Sequence, residues 1–156
     1  MNPQLINPKT GEFTVSEDFI FSAKTKISEL MAYFGESNLT VRDMNNGHTN
    51  YWIGNFQIGK LYFIFTFYFF NKKIIRVSFI LQKTSYLDIG SWDNFDEKEE
   101  IKNGEFLKLW LTGQMQGDYQ KYKWGNIDVY YDHHNLSSSC IIKYEDDYND
   151  DLEKTQ

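Results

Sequence analysis

The residues able to do chemistry are few, and their spacing is informative. The histidines are His48, His133 and His134, and Asp132 directly precedes the last two. His and Asp are zinc ligands, but a zinc site needs three or four of them converging on one point. Neighbouring residues on an extended chain point to opposite sides, so His133 and His134 do not readily share one metal. Both read as turn residues, and no metal or other cofactor is expected. The single cysteine, Cys140, follows Ser137-Ser138-Ser139 and precedes Ile141-Ile142. A reactive thiol needs a base or a positive neighbourhood. Inside an alternating apolar segment the expected role is a small buried residue. The three serines lack the strand-to-helix turn that exposes a nucleophile. The acids Asp96, Glu97, Glu99 and Glu100 form a carboxylate cluster. Acid–base catalysis requires such groups in a cleft that shifts their pKa values. At the start of a helical segment they are the solvated acids that the helix dipole favours. Phosphate-cradling glycine loops, HExxH and GxSxG are absent from the sequence. No catalytic function is expected.

Charge narrows the partners further. The net charge is −6, with 22 acids against 16 bases. Six of those acids lie between Glu145 and Gln156, beside the lone base Lys154. The remaining body has 16 acids against 15 bases, so it is close to neutral. Nucleic-acid binding rests on clustered basic residues, and only two arginines are present, so no nucleic-acid partner is expected. Glu145, Asp146, Asp147, Asp150 and Asp151 are the candidate partner-binding residues, since an acidic run attracts a basic protein surface. The plainer reading of the run is a solubilising terminus.

The elements that would carry these residues follow from periodicity. At 156 residues the chain fits one domain, drawn as 1–146 with an acidic tail over 147–156. Aromatics reach 18%. Asn, Lys, Ile, Phe and Tyr, all with A/T-rich codons, account for 65 of the residues, so the aromatic excess by itself signals no ligand. One cysteine excludes a disulfide within the chain. No basic stretch followed by an apolar run opens the sequence, and the apolar run Leu61–Phe70 is half the length a spanning helix requires. A soluble protein of a reducing, bacterial-type cytoplasm is the expectation, with no membrane partner.

Leu5-Ile6 and Glu12–Val15 flank the turn-rich Asn7–Gly11 and read as an opening hairpin. Ile27, Leu30, Met31 and Phe34 share one helical face, with Thr25 as N-cap and Gly35 as the stop. Leu39–Met44 and Asn50–Phe56 read as strands around Asn45-Asn46-Gly47. In Lys60–Phe70 and Lys73–Gln82 two apolar rows must share a face. A three-residue loop, Asn71-Lys72-Lys73, places Phe65 opposite Phe79 and Phe67 opposite Val77. The expected buried row is Phe63, Phe65, Phe67, Phe69, Ile75, Val77, Phe79 and Leu81. The opposite row, Tyr62, Ile64, Thr66, Tyr68, Arg76, Ser78 and Gln82, is mixed and reads as half exposed. Asp93–Thr112 is the second helix, buried through Phe106, Leu107, Trp110 and Leu111. Gly104 threatens to break it and Gly113 to end it. Trp124–Tyr131 and Ser138–Tyr144 are the closing strands, with Trp124 as a core anchor. The order ββ-α-ββββ-α-ββ predicts an α+β fold, an antiparallel sheet of six to eight strands with both helices on one face.

Trp124-Gly-Asn-Ile-Asp-Val-Tyr-Tyr-Asp132 and Ser137-Ser-Ser-Cys-Ile-Ile-Lys-Tyr144 resemble the closing segments of small bacterial proteins of the immunity type. Such proteins neutralise the toxins of interbacterial systems. The resemblance covers about a seventh of the chain and carries over no functional residue. It implies a non-catalytic binding protein that occludes a cognate toxin, with a basic toxin domain as the expected partner. The alternative function is a carrier of a small apolar ligand or lipid, with the Phe63–Phe69 face as its pocket wall.

Overall fold

Phenylalanine at every second position of Leu61–Phe70 can bury a continuous ring row only as a strand against a filled core. The computed structural model describes residues 4–82, 97–117, 121–132 and 137–145. In it Phe63, Phe65, Phe67 and Phe69 are at most 1% exposed. The strands are β1 (Phe13–Ser16), β2 (Phe19–Phe21), β3 (Thr40–Asp43), β4 (His48–Ile58), β5 (Leu61–Phe70), β6 (Lys73–Gln82), β7 (Gly125–Asp132) and β8 (Ser137–Tyr144). The helices are α1 (Ile27–Phe34) and α2 (Glu97–Met115), with a 3₁₀ turn at Glu36–Asn38. The fold is α+β, and the element order matches the predicted one from α1 onward. β3-β4-β5-β6-β8-β7 form one antiparallel sheet, while β1 and β2 pair separately.

One face of the large sheet is covered. Phe13 of β1 meets Phe65 edge-on at 5.5 Å, and Phe21 of β2 meets Phe67 at 5.2 Å. Phe34 of α1 lies 5.3 Å from Phe56, and Trp110 of α2 lies 5.7 Å from Phe79. These are the offset and edge-to-face distances at which aromatic pairs add to simple burial. The N-terminal segment is tied down by polar contacts. The buried Gln114 side chain accepts the backbone N–H groups of Leu5 (2.6 Å) and Ile6 (3.1 Å). The Trp124 indole N–H donates to the Pro8 carbonyl at 2.8 Å. Gly11, at φ 75°, leaves room for that indole, since a Cβ there would lie 2.5 Å from the ring.

Several details differ from the sequence reading. The opening hairpin contributes a single bridge, Ile6 to Phe13, and the fuller pairing is between β1 and the unforeseen β2. Lys26 caps α1 instead of Thr25, and its N–H is accepted by Glu29 at 3.0 Å. The Thr25 hydroxyl accepts the Ser22 N–H instead. Gly35 ends α1 as expected, at φ 89°. β4 runs beyond the expected Asn50–Phe56 at both ends. In the central hairpin, Phe65 opposes Phe79 and Phe67 opposes Val77, as the apolar rows demand. The turn itself differs: Asn71 (φ 48°) and Lys72 (φ 68°) form a two-residue loop, with a bulge beyond it. A tight turn with both central residues at positive φ matches strand twist, and the bulge restores the register. Its cost falls on Ile75. Ile74 opposes Phe69 and is buried, while Ile75 leaves the expected core row and is half exposed.

α2 is continuous through Gly104 and passes Gly113 to end at Met115, followed by Gln116 and Gly117 at positive φ. Gly104 is a contact residue, not a break. A Cβ on it would lie 2.6 Å from the Ser138 Oγ of β8. Leu107, Trp110 and Leu111 are buried as expected, and Phe106 is half-buried against the core.

Candidate binding face

The second face of the six-stranded sheet is where unspent side chains gather. Paired residues in an antiparallel ladder share a face, so the registers assign it. One transverse row runs Arg42, Asn50, Tyr68, Arg76, Lys143, Asn126 across all six strands. The next runs Thr40, Trp52, Thr66, Ser78, Ile141, Asp128. Tyr62, Ile64, Ile80, Ser139 and Tyr130 extend the same surface. Trp52 is 43% exposed and Tyr130 is 42% exposed, both high for large aromatics. Gly54 lets the Trp52 indole lie flat along β4, since a Cβ there would lie 2.6 Å from the ring.

At one end of this face is a cleft of about 580 Å³, lined in part by His48, Asn50, Tyr68, Ile75, Arg76 and Lys143. The bulge that turns Ile75 out of the core thus supplies an apolar wall to the cleft. The Arg76 guanidinium lies 4.2 Å from the Tyr68 ring centroid, a cation–π contact. Its Nε–H is buried and has no hydrogen-bond partner. Lys143 Nζ lies 5.8 Å from the Tyr130 ring centroid. Among the described residues no acid forms an ion pair with Arg42, Arg76 or Lys143.

The residues singled out in the sequence lie elsewhere or outside the described residues. Of the acidic candidates, Glu145 follows β8. Its N–H donates to the Trp124 carbonyl at 2.9 Å. Its carboxylate lies 3.7 Å from Lys121 Nζ, a solvated pair that contributes at most about 1 kcal/mol. Asp146, Asp147, Asp150 and Asp151 lie outside the described residues, as do His133, His134 and Asp96. His48 stacks near Phe70, with ring centroids 4.6 Å apart. Among the described residues, no three His, Cys, Asp or Glu side chains are grouped to hold a metal. Cys140 is fully buried opposite Phe79 and Val129. Burial, and secondarily the charge of Asp128, pushes its thiol well above the ordinary value, which disfavours the thiolate. Burial does the same to the Tyr144 phenol, with Glu12 adding to the shift.

The Phe63–Phe69 side, the proposed carrier pocket, is filled by the rings of Phe13, Phe21, Phe34 and Trp110. Among the described residues no helix is long and apolar enough to cross a membrane. Sequence reasoning recognised the β5–β6 half of the open face as mixed. It missed the face as a unit, because the placement of Arg42 and Lys143 depends on pairings distant in sequence. Comparison with protein-family models, with curated proteins and with solved structures finds no match for this chain.

Proposed function

We propose that this chain is a non-catalytic protein-binding domain that docks its partner on the open face of the six-stranded sheet. The observation that carries the reading is the composition of that face. The exposed Trp52 and Tyr130 and the half-exposed Ile64, Ile80 and Ile141 share that face with both arginines of the chain, Arg42 and Arg76. Aromatic and arginine side chains are the ones enriched at protein interfaces and at their energetic centres. A contiguous surface of this kind on a well-filled core is more than scattered exposure. The buried thiol accords with a binding role.

The specific form of the proposal is an immunity-type inhibitor that neutralises a cognate bacterial toxin in the cytoplasm. Its support is the resemblance of the last two strands to such proteins. The acidic run from Glu145 to Asp151 would steer a partner with a basic surface at long range, while the open face makes the contact.

The test is growth rescue. The product of the gene immediately upstream is induced in a host cell with and without this chain. Restored growth, lost in a folded Trp52→Ala/Tyr62→Ala variant, supports the proposal. An upstream product that is harmless and does not co-elute with the chain overturns the immunity form.

A further inference from the structure

We infer that the cleft beside Arg76 is a carboxylate-binding subsite, which takes an acidic, partly apolar segment of the partner protein. This rests on the open face being the docking surface and adds the chemistry of what docks. The first ground is where the cations sit. The chain carries a net charge of −6, yet both its arginines and Lys143 fall on one transverse row. Arg76 and Lys143 are direct partners across β6 and β8. Their charged ends lie over different rings, the guanidinium over Tyr68 and the amine toward Tyr130, so the row presents cations along its length. No acid of the described residues forms an ion pair with either of them. Asp128, the acid on the next row, turns its carboxylate to its own backbone and accepts the Val129 N–H at 2.8 Å. An anion arriving at the row meets a guanidinium and an amine that carry no ion pair with an acid of the described residues.

The second ground is how Arg76 is held. The Tyr68 ring positions its guanidinium, and its buried Nε–H meets no acceptor. With Nε buried, the Nη groups, which make no hydrogen bond with the described residues, are the donors left for a planar, two-oxygen ligand. The third ground is the setting. Ile75 lines the cleft, and Trp52, Ile64, Ile80 and Ile141 continue the face beyond it. A segment alternating acids with apolar residues would satisfy both. Single-stranded nucleic acid fits less well. The Tyr68 ring is occupied by Arg76 and offers that side to no base. A row of three cations falls short of the many phosphate contacts such binding uses.

The experiment titrates the ¹⁵N-labelled full chain with acetyl-Glu-Leu-Glu-Leu-Glu-amide and with its Gln-for-Glu counterpart, followed by amide shifts. The expected result is saturable shifts at Asn50, Tyr68, Arg76 and Lys143 with the acidic peptide alone, diminished by salt. Arg76→Gln should weaken binding about tenfold, the scale of one lost charge-assisted pair. Lys143→Gln should weaken it less, and its spectrum serves if Arg76→Gln does not fold. Absent shifts at this row, equal shifts with the Gln peptide, or tighter binding of oligothymidylate would each overturn the inference. The two readings fail separately. If Trp52→Ala/Tyr62→Ala abolishes rescue while the peptide does not bind, the subsite falls and the docking face stands. If the peptide binds at the row and rescue fails, the toxin reading falls.

Discussion

The two faces of the six-stranded sheet are written by alternate residues of the same strands and have opposite chemistry. On one, Phe63, Phe65, Phe67, Val77 and Phe79 are sealed under β1, β2 and the two helices. On the other, Tyr62, Thr66, Tyr68, Arg76 and Ser78 are half exposed, and the structure covers them with no element among the described residues. The difference teaches which side of a strand answers to folding and which is left to binding. The sealed face is a jigsaw of rings in which each side chain depends on its neighbours. The open face keeps polar tips in water and stems along the sheet, so its residues are replaceable as far as folding is concerned.

Mutations in adjacent residues can break this contrast, and the largest effect is expected on β5. Phe67→Ala should cost about 3–5 kcal/mol by opening a cavity among rings. Tyr68→Ala, one residue on, should cost clearly less in the same urea melts. Similar losses would mean that the open face is packed as part of the core. The bulge offers a finer version. Ile74→Ala should cost about 2–5 kcal/mol, while Ile75→Ala should stay under about 1 kcal/mol, because only the first fills core volume. The reverse order would restore the unbulged register and remove Ile75 from the cleft. The smallest expected effect concerns the cover itself. Gly104→Val should destabilise by about 1–3 kcal/mol by forcing α2 away from Ser138. Valine gains little helix propensity over glycine, so the change reads the contact and not the helix. An unchanged midpoint would show that α2 stands off β8 farther than the 2.6 Å Cβ approach implies.

Legibility in the sequence followed the range of the interaction. The helix over Ile27–Phe34 and the central hairpin were readable because their signals recur every three or four residues, or every two. The hairpin pairing was readable because two ring rows can share a face in only one register. The bulge was not. It reconciles that register with the positive-φ turn at Asn71-Lys72, a conflict between two local preferences that only the folded hairpin resolves. Gly104 misled for a related reason. Its cost to an isolated helix is local, and its benefit is a close approach to a strand 34 residues later.

The amino-acid sequence by itself determined the α+β class, the element order from α1 onward, the buried phenylalanine row and the buried setting of Cys140. Each is set by local periodicity or by the cost of exposing apolar surface, and neither needs to know what lies across the sheet. Tertiary structure alone decided that Arg42, Arg76 and Lys143 share one row. Those residues come from three strands, and β8 inserts between β6 and β7 in the sheet. Strand order is a long-range choice, settled by which pairings close the core, and so the open face acquires its chemistry only when the chain is folded.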